Sequence, residues 1–159
     1  IVNNKNAWST LIWFGGVIGI ANALAKEHFF EWMSKAMGQS INFVGYNPII
    51  TLGGLLFLSL IIRYLFASMT AFVTTMIPVF FTLGLVAGVP LYPLFFLLSF
   101  GAAYGCCLTH YAGACAPILF GPGYVDLNTW WKIGAITVII SYIVHMTIGL
   151  GYWKLIGLW

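Results

Sequence analysis

The residues of this chain that could do chemistry gather at two interruptions of otherwise apolar sequence. The first is Ala67-Ser68-Met69-Thr70-Ala71, with Arg63 upstream and Thr74, Thr75 and Pro78 downstream. The second is Thr109-His110-Tyr111-Ala112-Gly113-Ala114-Cys115-Ala116-Pro117. Small, hydroxylated and helix-breaking residues in such places imply unwound backbone with unpaired amides at helix ends. The partial positive charge at a helix N-terminus attracts carboxylates. Hydroxyls of Ser68 and Thr70 can donate to carboxylate oxygens, and loop carbonyls can ligate a hard cation such as Na⁺. Arg63 and His110 are the cationic candidates inside the apolar runs. An ionisable group in such a run is costly and is a functional-site hypothesis by default. For Arg63 two readings stand: pairing with helix-end carbonyls, or a place beside a bound anion.

Catalysis fits poorly. The acidic residues are Glu27, Glu31 and Asp126, all at interfacial or loop positions, so no acid–base constellation forms. A thiol–imidazole pair of Cys106, Cys107 or Cys115 with His110 has nothing to orient it. The odd cysteine count and the vicinal pair suggest small packing residues, without a metal-ligand pattern. No enzyme and no cofactor are expected, Na⁺ being the one ion to consider.

These residues must be positioned in lipid. Apolar residues make up 62% of the chain, charged residues 6%, and mean hydropathy is +1.00. A soluble domain carries roughly 25% charged residues to keep its surface wet. A net charge of +3 without a basic run excludes a nucleic-acid partner. Lys5, Lys26, Lys35, Lys132 and Lys154 lie near the ends of apolar stretches, where their stems reach headgroups. The start, Ile1-Val2-Asn3-Asn4-Lys5-Asn6, lacks Met and signal-peptide grammar, which suggests a piece of a longer protein.

Residues 7–25 read as one uncharged span, with Trp8 and Trp13 suiting an interface. Over 26–45 the apolar set Phe29, Met33 and Met37 opposes Glu27, Glu31 and Lys35, as in a short helix lying at the membrane surface. Residues 48–88, opened by Pro48, are too long for one crossing and lack a loop for two. They form either two helices joined by a tight turn, with Ser68 and Thr70 as caps, or a re-entrant hairpin whose tip lies mid-membrane. After the turn at Gly88-Val89-Pro90 the apolar run Leu94–Leu108 leads into the second break, which ends at Gly121-Pro122-Gly123. This pattern is that of an unwound transmembrane helix. Trp130-Trp131-Lys132 and Tyr152-Trp153-Lys154 anchor both ends of a last span, within which His145 bonds a neighbouring helix.

Arg63-Tyr64-Leu65-Phe66-Ala67-Ser68-Met69-Thr70-Ala71, followed by Met76-Ile77-Pro78-Val79, resembles the second Ser-Asn-Thr hairpin of divalent anion:sodium symporters. Leu108-Thr109-His110-Tyr111 and Ala116-Pro117-Ile118-Leu119-Phe120-Gly121-Pro122-Gly123-Tyr124-Val125 resemble that family's broken helix. Trp130-Trp131-Lys132 and Trp153-Lys154-Leu155-Ile156-Gly157-Leu158-Trp159 are similar to its citrate/succinate and 2-oxoglutarate/malate translocator branch.

The resemblance implies an all-α integral membrane fold, the second inverted repeat of an elevator-type transporter. Residues 1–47 would be a scaffold helix and an interfacial connection. Residues 48–159 would be half of a transport domain, with a hairpin at 48–88, a broken helix at 93–121 and the last helix at 130–154. The N-terminal half of the same transporter, a homodimer mate and the lipid bilayer are the implied partners. The setting is a bacterial inner or plasma membrane or an organelle envelope. A di- or tricarboxylate would meet Ser68 and Thr70 at the tip and Thr109, His110, Gly113, Ala114 and Cys115 at the break. Sodium would sit near Ala67, Ser68, Ala112 and Ala114. Met69 replaces the family's asparagine, and a thioether is a poor Na⁺ ligand. His110, with Arg63 beside it, is then expected to supply the missing positive charge, which favours exchange of carboxylates over sodium symport. A structural subunit of a membrane complex is the alternative from another class, against which two unwound sites argue.

Overall fold

The computed structural model describes residues 5–29, 32–33, 35–36, 45–113 and 115–159. Ala114 and most of the amphipathic connection, including Glu31 and Met37, lie outside them. The described residues are helical, without strands. Helix α1 is Lys5–Lys26, α2 is Pro48–Ile62, α3 is Met69–Val86 and α4 is Leu91–Tyr104. After the second break come α5, Cys115–Phe120, and α6, Leu127–Val144. The last helix continues through a π-helical stretch, His145–Gly149, into α7, Leu150–Leu155. Among the described residues, three helical stretches are long and apolar enough to cross a membrane: Pro48–Leu65, Met69–Val86 and Leu127–Leu155. The chain is an integral membrane protein.

Local chemistry explains the helix starts. Asn47 caps α2, its side chain accepting from the Ile49 amide at 2.9 Å, and Pro48 occupies the first turn, where a missing N–H costs nothing. Ser68, extended at φ −119°, caps α3 by accepting from the Ala71 amide at 3.3 Å. Asp126 caps α6 through the Thr129 amide at 3.0 Å. Pro78 lies inside α3 and removes one ladder bond. The hydroxyls of Thr74, Thr75 and Thr82 donate to helix carbonyls around it.

The core is the meeting of α2, α3 and α4. Leu52, Leu55, Leu56 and Leu60 of α2 share one face by i, i+3, i+4 spacing, as do Phe72, Met76 and Phe80 of α3 and Leu94, Leu97, Leu98 and Ala102 of α4. In lipid such faces associate by close packing, for which small residues make room. A methyl at Gly101 would lie 2.5 Å from Leu56, and one at Gly84 would lie 2.6 Å from Leu94. The Tyr142 hydroxyl of α6 donates to the Gly53 carbonyl at 3.0 Å and ties the last helix to α2.

The second break begins earlier than the apolar run suggests. Helix α4 stops at Tyr104, a 3₁₀ turn covers Gly105–Cys107, and Pro117 lies in the first turn of α5 instead of closing the break. Gly105 packs closely on α2 here, since a Cβ at this position would stand 3.2 Å from the Leu60 side chain.

Candidate functional site

The two breaks meet, and Arg63 joins them. Its side chain is 1% exposed at the end of α2, in a 3₁₀ turn over Arg63–Leu65. Nη1 donates to the carbonyl of Phe66 at 3.1 Å and lies 3.5 Å from that of Ser68, both in the turn before α3. Nη2 donates to the carbonyl of Ala112 and reaches Cys106 Sγ at 3.4 Å, both in the second break. The Phe72 ring lies 5.1 Å from the guanidinium carbon, adding a cation–π contact. A buried guanidinium is tolerable only with such partners, and its planar fork allows several at once. The Tyr111 hydroxyl forms a second tie, donating to the Tyr64 carbonyl at 2.9 Å. Of the two readings open for Arg63, the geometry is that of pairing with helix-end carbonyls.

His110 lies elsewhere. Its ring packs against Trp13 of α1 at 5.1 Å, Phe120 of α5 at 4.8 Å and Tyr111 at 5.1 Å. Trp131 Nε1 lies 3.4 Å from His110 Nδ1. An indole N–H can only donate, so in this contact Nδ1 is the acceptor. The cation that joins the two breaks is Arg63.

A cavity of about 780 Å³ opens between the start of α3, the second break, α5 and α6. Thr70, Gly113 and Cys115 of the expected site line it, together with Met69, Cys106 and Cys107. The expectation that the cysteines are packing residues holds only for half-buried Cys106, since Cys107 and Cys115 are exposed. Ser68, Thr109 and His110 do not line the cavity. Ser68 accepts the Ala71 amide, which leaves its own O–H able to donate, and Thr109 is fully buried. The fourth wall is α6, through Trp130, Ile133, Gly134 and Thr137. Helix α6 can lie this close because Gly134 has no side chain: a Cβ there would collide with the Cys107 carbonyl oxygen. The α6 contribution was missed in the sequence, where Trp130 reads as a headgroup anchor. The glycine at 134 within an apolar span was the available signal.

The proposed cation positions can be tested against these contacts. Ala67 is buried at the turn, and the carbonyls of Ser68 and Ala112 already face the Arg63 guanidinium. Met69 offers a thioether in contact with Cys106 at 3.6 Å. The carbonyls of Ser68 and Ala112 thus share a resident cation, and Ala114 lies outside the described residues.

The whole chain, residues 1–159, matches the family model described as the sodium:sulfate symporter transmembrane region. It is 41% identical over 159 residues to inner membrane protein YbhI of Escherichia coli K12, all of this chain against 33% of that protein. It is 33% identical over 153 residues to the chloroplastic dicarboxylate transporter 1 of Arabidopsis thaliana, 96% of this chain against 28% of that one. An L-tartrate/succinate antiporter of E. coli O6:K15:H31 is 35% identical over 153 residues, 94% of this chain against 31% of the antiporter. The chain thus spans about a third of the length of these relatives. The latter two are named as transporters, and on the match along its full length this chain belongs to the sodium:sulfate symporter transmembrane family.

Proposed function

We propose that the protein of which this chain is part exchanges one dicarboxylate for another across a bacterial inner membrane without using sodium. The observation that carries this reading is the Arg63 guanidinium, which holds carbonyls of both breaks where a coupling cation would need them. A covalently attached charge cannot leave with the substrate. It therefore stays on those carbonyls in every state of the cycle and contributes no ion gradient. The names of the chloroplastic dicarboxylate transporters and of the tartrate/succinate antiporter support the carboxylate class and the exchange mode.

At the tip, the Ser68 and Thr70 hydroxyls donate to a substrate carboxylate, helped by the unpaired amides at the start of α3. The backbone around Gly113 and Cys115 forms the opposing surface. Helices α2 and α3, about 22 Å and 27 Å long at 1.5 Å per residue, form a re-entrant hairpin. Its short non-helical tip is satisfied by Arg63, as irregular backbone within a membrane requires. With the N-terminal half of the transporter, these elements form a transport domain that moves as an elevator against α1 and a second copy.

Sodium symport is the competing reading, favoured by the retained Ser68 and Thr70 at the tip. The deciding experiment is labelled succinate uptake by the full-length transporter in proteoliposomes. Exchange requires uptake into vesicles loaded with dicarboxylate and none into empty ones. Gradient-driven accumulation in empty vesicles would overturn it.

A further inference from the structure

The last membrane-crossing helix changes its winding at one place. Between α6 and α7 the stretch His145–Gly149 is π-helical, and the Leu150 amide donates to the His145 carbonyl, five residues back. A π turn takes up one extra residue; such turns are rare and frequent at functional positions. Here the extra residue decides the packing. The His145 ring lies over Phe100 and Tyr104 at 5.3 and 5.4 Å, and Trp153 lies over Phe96 and Phe100 at 5.4 and 6.4 Å. Continuous α-helix would turn through about 800° between His145 and Trp153 and leave them about 80° apart. With one residue absorbed, the flanking helices keep the phase of a spacing shorter by one, about 20° from whole turns, and both rings meet one face of α4. No residue of the π stretch is fully buried, so neighbours do not lock its winding. Its two sides are held, but by different parts of the fold. Gly134 of α6 packs on the Cys107 backbone in the second break, whereas Leu150 and Trp153 of α7 are buried in the core.

We propose that the π turn His145–Gly149 is a register joint: α6 advances by one residue along its axis with the second break, while α7 stays stacked on α4. A step of one residue is about 1.5 Å, and the π turn absorbs it by winding to α-helix and back. The Tyr142–Gly53 hydrogen bond, which ties α6 to α2, is released in the shifted register. The load that drives the step, closure of the second break around an anion, rests on the proposed carboxylate exchange. The joint itself rests on the winding of the helix and on the separate anchoring of its two sides.

The test compares the full-length transporter with a variant lacking Ile148, an exposed residue of the π stretch. Removing one residue makes the helix continuous and keeps His145 and Trp153 on one face of α4, so a purely structural π turn is dispensable. The expected result is an unfolding temperature at or above that of the wild type with succinate exchange in proteoliposomes slowed about ten-fold or more. Amide hydrogen exchange of residues 145–150, measured on the same purified proteins, should be faster than in the flanking helices of the wild type and slow in the variant. A variant that exchanges succinate at the wild-type rate would overturn the inference. So would a lowered unfolding temperature, the signature of a packing role, or a wild-type segment as protected as its flanks. Absence of succinate exchange by the wild type would overturn the proposed function itself, and the hydrogen-exchange comparison then decides the joint on its own.

Discussion

Replacing Arg63 by methionine keeps an unbranched, buried side chain and removes the guanidinium donors that join the two breaks, leaving only the Tyr111–Tyr64 tie. The carbonyls of Phe66 and Ala112 then lose their charged donor inside the protein. Each buried carbonyl left unpaired costs about 1–3 kcal/mol, so two give a destabilisation of about 4 kcal/mol. The cation–π contact with Phe72 adds a further ~1 kcal/mol. Arg63→Lys should be intermediate, at about 2 kcal/mol, because a single ammonium cannot span acceptors from both breaks with the geometry of a guanidinium fork. Unfolding of the purified full-length transporter in detergent, followed by tryptophan fluorescence, measures the order wild type, Lys, Met. If Arg63→Met unfolds at the wild-type temperature and exchanges succinate with the wild-type KM, Arg63 neither holds the breaks together nor supplies charge, and the reasoning fails.

Three further outcomes follow from the contacts. Gly134→Ala drives a methyl into the Cys107 carbonyl oxygen, a backbone atom that cannot swing aside. It should cost about 3 kcal/mol and raise the KM for succinate, measurable by the same unfolding and uptake assays. Met69→Asn restores the asparagine of the family motif but leaves Arg63 on the carbonyls, so succinate uptake should remain indifferent to external Na⁺. The Thr129 hydroxyl and amide hold the Asp126 carboxyl below its usual range. Its cap therefore contributes stability above the unfolded-state value and loses it as pH falls through the lower folded-state value. Asp126→Asn should flatten that acid limb of the unfolding temperature against pH.

Where a residue acts through its own backbone neighbours, the sequence was legible. Pro48 and Ser68 begin α2 and α3 because a first-turn proline and a serine cap work locally, and the membrane character follows from composition. What depends on distant partners was not. Helix α4 ends at Tyr104, where Gly105 lies close against Leu60 of α2, whereas Gly105-Cys106-Cys107 reads simply as more apolar sequence. The surroundings of His110 were equally hidden, because the rings that enclose it come from α1, α5 and α6, far apart in the chain. Trp130 suited a headgroup anchor by its place beside Trp131 and Lys132. Only the fold of α6 across the second break makes it part of the cavity wall.

The central claim is that the fixed charge of Arg63 takes the place of a transported cation. Its most direct test is radiosodium flux measured alongside labelled succinate uptake in proteoliposomes containing the full-length transporter. The account predicts succinate exchange with no accompanying movement of sodium, at any sodium gradient. Sodium entering in fixed proportion to succinate would contradict it.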